Sequence, residues 1–283
     1  MVNKGIEQEI RDENYRQRIR HQFSPKFFDN TNKFIEMVNI PRWFFEKIRV
    51  EGVEEIQKLK GKQVLYVSNH ISMADFLVQG HSFWKYDLPI PRFIGGENLF
   101  KFPFKTLWRK SGTMALDRKG GVSYLKIFNE ELNKCFSEGE SILTYAEGGR
   151  NYSGNGLNTF KTGSFKSALG AVENGREIYG VPISIEYDKL VEGWALPKVK
   201  HFKEKRDEHL KKGNNLVAKF YDRGYFAWDV FAYVVRPFVK EKGNAYIKFG
   251  EPFSLGEFDE GINNSKKIML SNKFKSDIEG LLR

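Results

Sequence analysis

Residues 64–78 read VLYVSNHISMADFLV, and this stretch decides the fold. The four apolar residues at its start are typical of a buried strand, and the second apolar run, from Phe76, predicts a helix. The polar residues between the two runs place His70 in the connecting turn. The stretch therefore predicts a strand–turn–helix unit, the repeating element of an α/β fold.

His70 and Asp75 are five residues apart, a spacing that does not bring two side chains together on a regular helix. If His70 lies just before the first helical turn, however, Asp75 can reach back to its ring. A carboxylate on one ring nitrogen fixes the tautomer and leaves the other nitrogen able to accept a proton. The pattern indicates a general base. The alternative is that His70 packs in the corner and Asp75 is an ordinary first-turn acid.

From Gly61 onward, apolar runs and amphipathic stretches alternate, which is the pattern of an α/β domain. We predict a single domain over residues 51–283, with a mixed, largely parallel central sheet flanked by helices, after an N-terminal helical and aromatic segment at 1–50. The predicted strands are Gln63–Ser68, Arg92–Gly95, Gly112–Leu116, Ser141–Tyr145, Tyr179–Ile185 and Ala245–Phe249. The predicted helices are Met73–Trp84, Pro103–Lys110, Ser123–Phe136, Gly163–Glu173 and Lys267–Leu282.

The N-terminal segment and one later stretch allow several interpretations. Residues 1–25 are polar and predict a solvated helix or a loose arm. Residues 27–50 are aromatic and predict a helix that packs on the domain or one that lies in a lipid interface. Residues 198–212 are charged with mixed sign, which predicts a solvated excursion between core elements.

The chain has 283 residues and a formal net charge of +10, which favours an anionic partner: nucleic acid, an acidic lipid surface or an acidic carrier protein. Its single cysteine, Cys135, excludes an intramolecular disulfide and favours a reducing compartment. Cys135 also shares a helix face with Tyr124, Phe128 and Leu132, which predicts a core position. No secretory signal is expected at the charged N-terminus. No window reaches the ~18 apolar residues of a membrane span, so any membrane contact is predicted to be peripheral.

Two further clusters follow predicted strands. Glu147-Gly148-Gly149-Arg150 comes after Ser141–Tyr145; its glycines let the backbone approach a ligand, and its arginine suits a phosphate. Arg118 follows Gly112–Leu116. Because ligands bind at the carboxyl ends of parallel strands, both arginines are candidate binding residues. The alternatives are an ordinary glycine turn and a surface ion pair at Asp117.

Taken in order, these clusters resemble the glycerolipid acyltransferase superfamily, over about Val50 to Leu255. The blocks that carry the resemblance are Asn69-His70 with Asp75 (the HX4D motif), Gly112 to Arg118, Glu147 to Arg150, and Val181-Pro182-Ile183. Asn151 departs from the Ser or Thr that usually follows the third block, which puts a hydroxyl contact to the acceptor in doubt. Ala146 departs from the proline that often precedes the glutamate in the lysophosphatidate branch.

The resemblance implies an O-acyltransferase of phospholipid biosynthesis. It would move a fatty acyl group from acyl-CoA or acyl carrier protein to a hydroxyl of a glycerol-phosphate-type acceptor. The implied catalytic pair is His70 and Asp75. The implied substrate-binding residues are Arg118, Glu147, Gly148, Gly149 and Arg150. No metal and no cofactor are implied. Transfer to lysophosphatidate (1-acylglycerol-3-phosphate) or to another lipid is the alternative within the superfamily.

With this chemistry the basic surface suits an anionic membrane, so we expect a peripheral protein on the inner, cytoplasmic face. A nucleic-acid-binding protein is the distant alternative, since the basic residues are dispersed among acids and form no recognition signature. A serine hydrolase is disfavoured because no Gly-x-Ser-x-Gly elbow occurs. Nucleotide-binding enzymes are disfavoured because neither glycine-rich phosphate loop is present.

Overall fold

A computed structural model describes residues 4–100, 105–117, 119–151, 156–235, 238, 241–258 and 264–282. Within them, eight strands form one sheet. The strands are β1 (Ile48–Glu51), β2 (Gln63–Ser68), β3 (Arg92–Gly96), β4 (Met114–Leu116), β5 (Ile142–Tyr145), β6 (Ile178–Tyr187), β7 (Ala245–Phe249) and β8 (Phe253–Ser254). Their order across the sheet is β1-β7-β6-β2-β5-β3-β4, and β8 pairs with β6.

The sheet is mixed and largely parallel, as predicted. The strands on both sides of β2, which are β6 and β5, run parallel to it. The pairs β5–β3, β3–β4 and β1–β7 are also parallel within themselves. Among the described strands, the antiparallel pairs are those of β6 with β7 and with β8. Strand β2 is buried along its whole length, as expected for a central strand covered on both faces.

Helices cover both faces of the sheet. They are α1 (Lys4–Ile19), α2 (Pro25–Met37), α3 (Pro41–Phe44), α4 (Val53–Gln57), α5 (Ala74–Lys85), α6 (Lys105–Lys110), α7 (Gly121–Ser137), α8 (Gly163–Glu173), α9 (Leu196–Lys211), α10 (Asn215–Val235) and α11 (Asn264–Leu281). Alternate residues of β2 enter opposite cores: Leu65 and Val67 pack with α7, α8 and α11, whereas Val64 and Tyr66 pack with α4 and α5. This is the flanked α/β architecture predicted from the sequence.

Strands β2 and β7 and helix α8 have the predicted bounds. Sequence patterns missed β1 and β8, which are short. Strand β1 lies at the edge of the sheet, in the aromatic segment that was interpreted as a helix, and it pairs with β7. It also crosses the predicted boundary at residue 50; the division into segments 1–50 and 51–283 stays a prediction.

The N-terminal segment is helical and packed against the domain. Ile19 of α1 is fully buried, and Tyr15 contacts Tyr124 of α7 edge to face, with ring centroids 5.1 Å apart. Arg16 donates to Glu130 at 2.7 Å and to Glu131 at 2.8 Å, both on α7. Of the two interpretations of residues 1–25, the loose arm is therefore wrong for the residues described from Lys4 onward, because aromatic and ionic contacts fix α1 to α7.

The charged stretch 198–212 lies in α9, which forms a helical hairpin with α10. Phe202 of α9 lies so close to Gly224 of α10 that a Cβ added there would be 2.2 Å from its ring. Arg206 donates to Asp222 across the same interface at 3.3 Å. Among the described residues, no helix is both long and apolar enough to cross a bilayer.

Cys135 occupies the predicted core position on α7. It is fully buried beside Met114, with the two sulfur atoms 3.8 Å apart. Burial raises the pKa of its thiol to about 12. The thiolate needed for nucleophilic chemistry is therefore scarce at neutral pH.

Candidate active site

Three adjacent parallel strands, β6, β2 and β5, bring the motif residues to one edge of the sheet. Ser68, the last residue of β2, pairs with Tyr145 at the end of β5 and with Ile183 near the end of β6. The segments that follow these strands carry the first and third motif blocks. The carboxyl edge of a parallel sheet is where α/β proteins bind ligands, so this edge is the candidate site.

His70 and Asp75 form the predicted pair: Nδ1 of His70 lies 2.7 Å from Oδ2 of Asp75. The same oxygen accepts the backbone N–H groups of Ile71 at 2.8 Å and Ser72 at 3.1 Å, and Oδ1 accepts the hydroxyl of Tyr187 at 2.7 Å. Asp75 is fully buried, and these donors compensate for that burial. Because Oδ2 is an acceptor, Nδ1 carries the proton and Nε2 can accept one.

Aromatic neighbours fix the plane of the His70 ring. Tyr145 stacks on it with centroids 4.2 Å apart, and Phe76 meets it edge to face at 5.7 Å. The Tyr145 hydroxyl donates to Gln79 at 2.7 Å, while burial and the nearby Asp75 charge raise the pKa of this phenol. Tyr145 therefore stays neutral. About 12% of the His70 side chain is exposed, which leaves the ring accessible to a substrate.

Asn69 attaches the start of this turn to β6. Its side-chain amide donates to the carbonyl of Ile185 at 2.9 Å and accepts the N–H of Ile185 at 2.8 Å. Both contacts are buried, so they fix the position at which the chain leaves β2.

The carboxylate of Glu147 joins the two motif turns. Oε1 accepts the backbone N–H of His70 at 3.3 Å, and Oε2 accepts the side-chain amide of Asn151 and the N–H of Asn158, each at 2.9 Å. The N–H of Asn151 in turn donates to the carbonyl of His70 at 2.7 Å. Glu147 thus contacts three protein donors; its binding of an acceptor stays a prediction.

Arg150 lies beside the His70 turn, in an ion pair that the sequence did not indicate. Its Nη1 atom is 3.3 Å from Oε1 of Glu192, and the two side chains are 8% and 0% exposed. Glu192 also accepts the Ser72 hydroxyl at 2.7 Å and the N–H of Met73 at 3.1 Å. Ser72 and Met73 lie two and three residues after His70, so Glu192 connects Arg150 to the turn that carries His70.

The turn between Glu147 and Arg150 depends on glycine. Gly148 has φ +72°, a conformation that other residues rarely adopt, and a Cβ there would lie 3.2 Å from Lys161. Gly149 follows it in the same turn. Arg118 lies outside the described residues; its neighbour Asp117 accepts the N–H of Lys119 at 2.8 Å.

The structure therefore brings His70, Asp75, Glu147 and Arg150 together. Tyr187 and Glu192 were missed as site residues. Tyr187 ends β6, so the rule that places ligands at the carboxyl ends of strands could have found it. Glu192 lies in a connecting segment five residues later, with no pattern to mark it. Its contact with Ser72 joins residues 120 positions apart.

Comparisons with known proteins agree with this geometry. The Acyltransferase family model matches residues 47–186, which include His70, Asp75, Glu147 and Arg150. The glycerol-3-phosphate acyltransferase of Shewanella sp. (strain ANA-3) is 28% identical over 226 residues, which are 76% of this chain and 26% of that protein. The enzyme of the same name from Pseudomonas fluorescens (strain SBW25) is 30% identical over 235 residues, which are 80% of this chain and 26% of that protein.

The chain thus spans about a quarter of the length of the curated relatives it matches. The crystal structure of the 1-acyl-sn-glycerophosphate (LPA) acyltransferase PlsC from Thermotoga maritima superposes with a TM-score of 0.48 at 15% identity. That superposition covers 99% of this chain and 83% of the other. With the family model, the relatives and the motif residues in agreement, the chain carries an acyltransferase domain and belongs to the glycerolipid acyltransferase superfamily.

Proposed function

We propose that this chain catalyses transfer of a fatty acyl group from an acyl thioester to a hydroxyl of a glycerol-phosphate-type acceptor in phospholipid biosynthesis. The observation that carries the proposal is the 2.7 Å contact between His70 and the buried Asp75, beside Arg150. The names of the relatives, glycerol-3-phosphate acyltransferases, support the same acceptor. The donor is acyl-CoA or acyl carrier protein, and no metal or cofactor is required.

The reaction needs only one proton carrier. Nε2 of His70 takes the proton of the acceptor hydroxyl as that oxygen attacks the thioester carbonyl. Asp75 stabilises the imidazolium that forms. The tetrahedral intermediate then collapses, the carbon–sulfur bond breaks, and the thiolate takes the proton from His70. The products are an ester and a free thiol, and no covalent enzyme intermediate is needed because the acceptor is the nucleophile.

Arg150 and Arg118 are proposed to bind the acceptor phosphate. A guanidinium presents a planar set of donors that matches two phosphate oxygens. Glu192 holds Arg150 near Ser72 and Met73, so a phosphate bound there would place the acceptor hydroxyls close to His70. Arginine contacts of this kind orient the acceptor hydroxyl at the reacting centre.

A panel of acceptors with one labelled acyl thioester tests the proposal. Glycerol-3-phosphate, dihydroxyacetone phosphate, lysophosphatidate and glycerol are each supplied to the full chain, and labelled ester is counted. We expect a phosphorylated acceptor to react and glycerol to react far more slowly, because glycerol has no group for the arginines. Equal rates with glycerol and glycerol-3-phosphate would contradict the phosphate role, and no ester with any acceptor would contradict the activity.

Replacing Arg150 with alanine is expected to raise the KM for the phosphorylated acceptor by about 10- to 100-fold, the effect of losing charge-assisted hydrogen bonds. The KM for the acyl donor should change by only a few-fold. Initial rates with each substrate varied in turn measure both constants. A rise confined to the donor KM would contradict the assignment.

A second variant separates this effect from damage to the fold. Arg150→Ala leaves the buried Glu192 without this cationic partner, and loss of one member of a buried pair costs about 3–5 kcal/mol. The double variant Arg150→Ala/Glu192→Gln removes both charges. It is expected to regain much of the thermal stability of the wild type while it keeps the raised acceptor KM. Return of the acceptor KM to its wild-type value would show that Arg150 acts only on the fold.

We also propose that the protein works as a peripheral protein on the inner, cytoplasmic face of an anionic membrane. A single cysteine suits a reducing compartment, and a net charge of +10 suits anionic headgroups. The acceptor and the fatty product both suit this location, since the product partitions into the lipid. Binding of this kind weakens as salt rises.

A further inference from the structure

Helix α10 has an exposed apolar stripe along one face. Leu216, Phe220, Ala227 and Phe231 are all exposed, and the three large side chains have exposed fractions of 81%, 67% and 48%. Their spacings of 4, 7 and 4 residues place them on one side of a helix. The distance along the axis from Leu216 to Phe231 is roughly 22 Å. We call these four residues the α10 stripe.

Large apolar residues are seldom exposed in a row, because their burial elsewhere would lower the free energy. The adjacent side of α10 packs on α9, where Tyr221 contacts Phe202 with ring centroids 5.8 Å apart and Gly224 lies against the same ring. Ala218, farther from the stripe, is 2% exposed. The stripe is therefore a face of the hairpin that α9 leaves exposed.

Basic residues border the stripe. Lys219 and Arg223 are exposed. Lys219 lies three residues after Leu216, and Arg223 lies three residues after Phe220 and four before Ala227, so both border the stripe on the helix surface. Residues 196–235, the two helices and their connection, contain nine basic and five acidic residues in all, so the hairpin is net positive. An apolar face flanked by lysine and arginine is the composition of a helix that lies in the surface of an anionic membrane.

The stripe leads to the candidate active site. Phe231 meets Trp194 with ring centroids 5.9 Å apart, and Trp194 is 46% exposed. Trp194 lies two residues after Glu192, which contacts Ser72 and Arg150 in the site. One end of the stripe therefore contacts a residue that is two positions from Glu192 in the chain, and the other end, Leu216, is near the tip of the hairpin.

We propose that the α10 stripe, with Lys219 and Arg223, is the surface by which this protein docks on an anionic lipid bilayer. The inference rests on the peripheral membrane association proposed above and names the surface responsible. Leu216, Phe220 and Phe231 enter the boundary between headgroups and acyl chains, and the two cations contact anionic headgroups. Docked in this way, the protein has the exposed ring of Trp194 next to lipid and the site beside it.

The test is co-sedimentation of the full chain with vesicles of phosphatidylglycerol and phosphatidylcholine, at low and high salt. Leu216→Ser/Phe220→Ser is expected to weaken binding at least about tenfold, since two large apolar side chains no longer enter the lipid. Lys219→Gln/Arg223→Gln is expected to weaken vesicle binding by about fivefold for each charge and to reduce the dependence of that binding on salt. Neither change alters a residue of the candidate active site.

A rival patch supplies the matched control. Phe34 and Met37 on α2 are 54% and 75% exposed, in the segment whose aromatic sequence also suggested an interfacial helix. Phe34→Ser/Met37→Ser removes a similar apolar area and should leave vesicle binding within about twofold of the wild type. If this variant loses binding while Leu216→Ser/Phe220→Ser keeps it, the assignment to α10 is overturned.

Two further measurements keep the inference separate from the proposed activity. Acyl transfer from a short-chain, water-soluble thioester, measured without vesicles, should be unchanged in Leu216→Ser/Phe220→Ser; an inactive wild type would contradict the activity but not the docking surface. Sedimentation velocity measures self-association. A wild-type dimer that dissociates in the Leu216→Ser/Phe220→Ser variant, with no vesicle binding by either, would assign the stripe to a second copy of the chain and overturn the proposal.

Discussion

Replacing His70 with alanine is expected to lower kcat/KM for acyl transfer by about 10²–10⁴-fold, the contribution of a well-placed general base. Nε2 of the imidazole can take the proton of the substrate hydroxyl, because Nδ1 is hydrogen-bonded to Asp75 at 2.7 Å. The fold should persist, since Asp75 retains its contacts with Ile71, Ser72 and Tyr187. The measurement is kcat/KM with a labelled thioester, together with thermal unfolding of the same preparation.

His201→Ala is the matched control for this change. His201 is an exposed histidine on α9, and its ring contacts that of Phe202. The His201→Ala variant should retain wild-type activity on soluble substrates. Activity of His70→Ala within a few-fold of the wild type, with the protein folded, would remove this imidazole from the chemistry.

Replacing Asp75 with asparagine is expected to lower kcat by about 10²–10⁴-fold while the fold and the orientation of His70 are retained. The backbone N–H groups of Ile71 and Ser72 need an acceptor, so the amide oxygen takes the position of Oδ2. The amide nitrogen then faces the hydroxyl of Tyr187, which can accept as well as donate. Geometry is kept, and the negative charge that stabilises the imidazolium is lost.

Asp75→Ala provides the contrast. It leaves the N–H groups of Ile71 and Ser72 without this acceptor, at about 1–3 kcal/mol for each unsatisfied group. Alanine should therefore reduce both stability and activity, whereas asparagine should reduce activity alone. Thermal unfolding and steady-state kinetics on both variants measure the two effects. An asparagine variant as active as the wild type would show that the carboxylate positions His70 without supplying charge.

Local patterns predicted the part of the site that lies close together in the sequence. Strand β2, the His70 turn and α5 form one continuous unit, so an apolar run and a first-turn acid were enough to predict the contact between His70 and Asp75. Strand β2 was predicted because it is buried on both faces, and four consecutive apolar residues, 64–67, form its centre.

The rest depends on contacts between distant residues. Glu192 meets Ser72 only because β6 and β2 are neighbours in the sheet, and nothing near Glu192 in the sequence marks it. Strand β1 has four residues at the sheet edge, with alternate residues only partly buried, and its aromatic surroundings favoured a helix. The partial exposure of an edge strand weakens the hydrophobic signal on which such a prediction depends.

The contacts of Asn69 with β6 explain why an asparagine directly precedes His70. Beyond Ser68, the backbone of β2 no longer pairs with β6, yet Ile185 still presents an N–H and a carbonyl group to that side. A carboxamide carries an acceptor oxygen and N–H donors on one group, so the Asn69 side chain pairs with both backbone groups of Ile185 in place of a further strand residue. Aspartate would set a second acceptor against the Ile185 carbonyl, and leucine would leave both groups unsatisfied. The main chain therefore leaves the hydrogen bonding between β2 and β6 after Ser68. It can turn the His70 imidazole out of the sheet while the backbone groups of Ile185 stay paired.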